Sequence, residues 1–302
     1  MSESESSPTR HGPRVWAIGG GKGGVGKSVI SANLAASLAH TGQRVAIVDA
    51  DLGGANLHTL LGIPNPKINL KDFMSRKVSD LSDVMVPTPI DNLWLVSGAQ
   101  ALVEAANLNY GQKGKLLRHI NALEADHVIL DLGAGSAFNV LDFFLVARKG
   151  VLVVVPEPTS VENAYHFLKA ALFRKLKRAQ PRAQVRAAIA DVMAEGSRDL
   201  VRTPRALISR VWSVDPVAGA ALVAEASSFR PALIVNRAQH PSHEARGQEM
   251  VTACRDYFGV RLQCLGALPD DQLGVRSVMV RRPATEFHTQ IPGVGARDGA
   301  VE

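Results

Sequence analysis

Ten consecutive residues set the terms on which this chain can fold: Gly19-Gly20-Gly21-Lys22-Gly23-Gly24-Val25-Gly26-Lys27-Ser28. With Gly21 and Gly26 as the two glycines, they fit the pattern G-x-x-x-x-G-K-[ST]. Glycines in this density let successive backbone N–H groups converge on one point, and a helix starting directly behind the loop adds the positive end of its dipole. The result is a cradle for phosphate. Lys27 is placed to bring a point charge to the β- and γ-phosphates of a nucleotide, and the Ser28 hydroxyl to hold Mg2+. The predicted nucleotide-binding loop therefore runs through Gly21, Lys22, Gly23, Gly24, Val25, Gly26, Lys27, Ser28 and Val29. Such a loop works only between a strand and a helix, and both flanks are present: Val15–Ile18 is a short apolar run and Val29–His40 has helical spacing.

The rest of the chain repeats that alternation. Apolar runs at Val45–Val48, Leu93–Val96, Val128–Leu130, Val151–Val155, Leu233–Val235 and Leu262–Leu268 are rich in Val, Ile and Leu and end in Gly, Asp, Pro or Asn. Runs of this kind are strands buried on both faces, the signature of a parallel sheet, and helical text such as Lys113–Leu123 lies between them. The expected class is α/β, a mostly parallel twisted sheet of about seven to eight strands with helices on both faces. Residues 1–13 are expected to be a disordered tail, 14–288 one P-loop domain, and 289–302 a flexible C-terminal tail.

One interval breaks the rhythm. From Val155 to Leu233 the chain is far longer than a single crossover helix requires. Thr159-x-x-Glu162 has the form of a capping box, so a helix is expected to start there. Tyr165, Leu168, Leu172 and Leu176 mark its inner face and Pro181 ends it, with further helices around Gln184–Glu195, Pro204–Trp212 and Pro216–Ser227. Between residues 161 and 230 there are twelve Lys+Arg against six Asp+Glu, so this helical insertion (about 162–229) accounts for the +6 charge of the whole chain. Arg174, Lys175, Lys177 and Arg178 are expected to point outward, a candidate contact for an acidic protein, an anionic membrane surface or DNA. No apolar run is long enough to span a bilayer, which together with two cysteines in no disulfide or zinc pattern gives a cytoplasmic address, with peripheral contact to the inner membrane face as its variant.

Lys22 stands five residues ahead of Lys27, and the resulting K-G-G-V-G-K-S loop resembles the deviant Walker A box of the MinD/ParA ATPases. The resemblance covers roughly residues 14–165 and 230–285 and is strongest to the FlhG/MinD branch. It implies a slow, Mg2+-dependent ATPase that forms a homodimer in the ATP state, with Lys22 reaching phosphate held by the partner subunit. Asp49-Ala50-Asp51 resembles switch I, which implies Asp49 near Mg2+ and Asp51 orienting the attacking water. Asp131-Leu132-Gly133-Ala134-Gly135, ending the fourth predicted strand, resembles switch II, which implies Asp131 on a Mg2+-bound water and the Gly135 amide sensing the γ-phosphate. Asn236-Arg237 and Pro269-Asp270 match positions that contact and cover adenine, and Glu157 matches a glutamate near the dimer interface. The implied role is spatial positioning or number control of a cellular structure, of the flagellar or division-site type, with an activator or cargo protein as partner. A DNA-partition ATPase and an iron–sulfur carrier are the alternatives; Cys254 and Cys264 lack the C-x-x-C spacing of the second.

Overall fold

Each of the apolar runs becomes a strand. The computed structural model describes residues 12–51, 53–98, 110–179 and 203–288. Its strands are β1 (Arg14–Gly19), β2 (Val45–Ala50), β3 (Met85–Pro87), β4 (Leu93–Val96), β5 (His127–Leu132), β6 (Lys149–Val154), β7 (Ala232–Ala238) and β8 (Gln263–Pro269). They form one sheet in the order β3-β4-β2-β5-β1-β6-β7-β8. Every neighbouring pair is parallel except β3 with β4. Sequence periodicity missed β3, which has three residues, one of them Pro87; Asp131 therefore lies on the fifth strand rather than the fourth. At the opposite edge β8 pairs with β7 through two register shifts, around a Gly266 whose φ is +123°.

β2 and β5 are buried at every position, as the continuous apolar runs require when helices cover both faces. One face carries α1 (Lys27–His40) and α2 (Leu57–Leu60), packed through Ile30, Ala35, Ala36 and Leu57 against Ile18, Ile47 and Ile129. The other carries α3 (Leu70–Met74), α4 (Tyr110–Ala122), α5 (Phe138–Val146), α6 (Pro158–Ala179), α7 (Pro204–Val214), α8 (Pro216–Ser228) and α9 (Ser242–Ala253). Pro204 and Pro216 each sit in a first helical turn behind a side-chain cap. Thr203 accepts from the Ala206 amide at 3.2 Å and Asp215 from that of Ala218 at 3.0 Å. Beyond β8 come α10 (Gln272–Val280) and α11 (Thr285–His288).

Two expectations about the insertion are revised and one holds. Its first helix starts at Pro158, so Thr159 lies inside the first turn and forms no capping box; its hydroxyl accepts from Lys22 instead. The inner face packs as expected, with Phe167, Leu168, Ala171, Leu172 and Leu176 buried in the main core and Phe167 edge-on to Phe144 at 4.9 Å. Finally, most of the basic face is paired within the chain: Arg174 and Arg178 share the buried Asp142 and Lys175 pairs with Glu225 at 2.9 Å, while Lys177 and Arg178 remain exposed. The expected helix Gln184–Glu195 and the tails 1–11 and 289–302 lie outside the described residues. Among the described residues no helix is long and apolar enough to cross a membrane.

Candidate nucleotide site

Strand order brings the site together. β1 and β2 both flank β5, so the register sets Ile18 and Asp49 beside Asp131, all near the carboxyl ends of their strands. Ligands collect at that edge in sheets of this type. The loop leaving β1 turns into α1 at Gly26, whose φ of +94° suits glycine. A side chain there would also strike Asn236 Nδ2 at 2.3 Å, and that amide donates to the Val25 carbonyl at 2.8 Å. Asn236 thus ties the end of β7 to the phosphate loop.

The two lysines of the loop are disposed oppositely. Lys27 is 8% exposed and donates to the Lys22 carbonyl at 3.2 Å, so its ammonium lies within its own loop. Burial holds its pKa below the usual lysine range, partly offset by the charges of Asp131 and Asp51. Lys22 instead reaches sideways to the start of α6. Its ammonium bonds Glu157 Oε2 at 2.6 Å and Thr159 Oγ1 at 3.0 Å, both on the surface.

Three carboxylates face the loop. Asp49 and Asp131 are each 1% exposed. Asp49 accepts the amides of Asp51 at 3.2 Å and Leu57 at 3.0 Å; burial first, and then Asp131, push its pKa up to about 7. Asp131 accepts the Ser31 hydroxyl at 2.8 Å and that of Ser28, and burial raises it to about 6 against those bonds and Lys27. Two buried carboxylates and a hydroxyl make a hard-oxygen set that fits Mg2+. Asp51 is half-buried, takes the amides of Gly53 at 3.3 Å and Gly54 at 3.0 Å on Oδ1, and lies against Gly133, where a Cβ would come within 3.1 Å. The close approach explains why a glycine stands between Asp131 and Gly135. The Gly135 amide, expected to sense phosphate, donates to the Gly20 carbonyl at 3.1 Å, so switch II is latched to the phosphate loop. That bond must break before the amide can serve phosphate.

The residues expected to contact the base also meet. Asn236, Arg237, Pro269 and Asp270 line a cavity of about 410 Å3 with Gly26 and Val29. Its outer wall is α10, contributing Gly274, Val275, Val278 and Met279, which sequence reasoning missed. The available signal was Asp271, which caps that helix by accepting from Gly274 N at 2.9 Å and starts it beside Pro269-Asp270.

The raised carboxylates make a prediction for the protein without ligand. Below about pH 3 Asp49 is protonated in both the folded and unfolded chains and contributes nothing. As pH rises, the unfolded chain releases the proton first, near its ordinary 3.8, while the fold keeps it to about 7. Stability therefore falls across that interval, and the penalty is complete above it. Asp49→Asn is expected to raise the melting temperature at pH 8 by several degrees, the equivalent of roughly a few kcal/mol, and to leave it unchanged at about pH 3. A variant with the same shift at both pH values would refute this.

Comparison with known proteins is consistent with this geometry. Residues 13–179 match the family described as ParA: NUBPL iron-transfer P-loop NTPase. Among relatives, the antiactivator FleN of Pseudomonas aeruginosa is 37% identical over 161 residues, 53% of this chain and 56% of FleN. The flagellum site-determining protein YlxH of Helicobacter pylori is 33% identical over 162 residues, 51% of this chain and 52% of YlxH. The chain thus spans about half the length of these relatives. The septum site-determining protein MinD of Pyrococcus horikoshii, solved with Mg-ADP, shares the fold at a TM-score of 0.57 and 20% identity, over 92% of this chain and 90% of that one.

Proposed function

The chain belongs to the ParA family of P-loop NTPases, the family it matches over residues 13–179, and on that footing we propose a Mg2+-dependent ATPase that switches from an ADP-bound monomer to an ATP-bound homodimer. Through that switch it sets the position or number of a cellular structure, as the name flagellum site-determining protein suggests for the relative YlxH. The observation that carries this reading is the pair of lysines on one loop. Lys27 is buried in its own phosphate cradle, whereas Lys22 leans out of it toward Glu157 and Thr159. A cation that leans away from its own cradle, on the surface, is available to a second chain's nucleotide. There it would offset charge developing on the phosphoryl group, the logic of an arginine finger.

In this reading Asp51 orients the attacking water, and Ser28, Asp49 and Asp131 hold the ion, which when bound neutralises phosphate charge. Asn236, Arg237, Pro269 and Asp270 hold the base. Turnover is slow until an activator or cargo protein docks, and the protein works in the cytoplasm or peripherally on the inner membrane face. One rival is disfavoured by particular groups: iron–sulfur transfer in that branch uses a C-x-x-C pair of thiolates, and Cys254 and Cys264 lack that spacing. Size-exclusion chromatography of Asp51→Ala tests the switch: it is expected to elute as a dimer with ATP and a monomer with ADP. Elution as a monomer with ATP, while ATP is demonstrably bound, would sink the dimer reading.

A further inference from the structure

Asp142 on α5 is fully buried and accepts from three cations. Lys113 of α4 lies 2.5 Å from Oδ2, Arg174 of α6 bonds both oxygens through Nε and Nη2, and Arg178 Nη2 lies 3.0 Å from Oδ1. One carboxylate neutralises one of these charges. Among the described residues no other carboxylate pairs with any of the three, so the cluster holds two surplus positive charges with Lys113 almost wholly buried. Lys113 lies against the carboxylate, so the surplus falls on Arg174 and Arg178, which keep contact with solvent and can be reached by an incoming anion.

Two further features adjoin the cluster. Phe138, the first residue of α5, is 63% exposed, with the Arg174 guanidinium 4.5 Å from its ring centre. The same helix end has no side-chain cap and no acidic residue in its first turn, so its dipole also favours an anion. An exposed aromatic backed by arginine is the composition of a binding hot spot.

We propose that Phe138 and the Lys113–Arg174–Arg178 cluster form a docking site for an acidic segment of a partner protein, a few residues beyond Gly135. A flat layer of lipid headgroups or a DNA backbone meets cations that protrude together, whereas here Lys113 is buried, Arg174 is half-buried under Phe138, and of the three only Arg178 is exposed. The anion must arrive on a side-chain stalk, and Phe138 requires an apolar neighbour beside it. A partner segment that carries Glu or Asp next to an apolar residue meets both demands.

A fluorescein-labelled oligoglutamate peptide containing one leucine is the probe, read by anisotropy without nucleotide, so the result is independent of the ATPase reading. Arg178→Gln and Phe138→Ala are each expected to weaken peptide binding about tenfold while melting temperature and nucleotide affinity stay at the parent values. Phosphatidylserine vesicles and duplex DNA are run in parallel and are expected to bind the variants and the parent alike. The proposal is overturned if the parent does not bind the peptide, if neither substitution weakens it, or if vesicle or DNA binding falls with the same substitutions.

Discussion

Lys27→Ala is expected to weaken nucleotide binding on the order of a hundredfold or more. The ammonium is buried inside the loop, below its ordinary pKa yet held by Asp131 and Asp51, so no neighbouring lysine can take its place. Removing one member of a buried charged contact typically costs 2–5 kcal/mol, which corresponds to an affinity loss on the order of a hundredfold or more. Titration with a fluorescent ATP analogue reads the effect directly. The unliganded melting temperature separates it from misfolding, since a fold that retains its melting transition but loses the analogue has lost only the site. Binding at parental affinity would show that the phosphate loop has been wrongly assigned.

Lys22→Ala is expected to behave in the opposite way, binding ATP normally while hydrolysis falls on the order of a thousandfold, the scale of a missing cation in trans. Lys22 touches Glu157 and Thr159 on the surface, so its loss costs little stability. Mixing Lys22→Ala with Asp51→Ala subunits makes the prediction sharper. If Lys22 serves the neighbouring nucleotide and Asp51 its own, a mixed pair has one half-site carrying both lesions and one carrying neither, and activity returns. Absence of rescue at every mixing ratio would mean that Lys22 acts within its own chain.

Legibility from sequence followed the range of the interactions. The phosphate loop, the strands and the aspartates at their ends are local patterns, and all were readable because glycine density and apolar runs are properties of neighbouring residues. β3 was not, because three residues ending in Pro87 carry no periodic signal. The ion cluster at Asp142 was also invisible, since its partners are 29, 32 and 36 positions away and a charge on a helix reads as solvated until its neighbours are known. Thr159 shows the subtler failure. Its spacing to Glu162 suits a cap, but Pro158 starts the helix one residue earlier, and the hydroxyl serves Lys22, 137 positions distant.

The edges of the sheet bear on how such a chain avoids associating wrongly. Strand edges are open templates for another chain, and a protein meant to associate on command has reason to close them. At one side the last strand is three residues long and ends in Pro87, whose nitrogen cannot donate. At the other, register shifts and the unusual backbone at Gly266 disrupt the ladder along β8. Among the described residues, neither margin offers a long, flat row of amides and carbonyls to a second copy. Self-assembly by open-ended strand addition, the route to fibres, is thereby obstructed at both ends, and closed pairing over the strand-end face that holds the phosphate loop is left as the cheaper course.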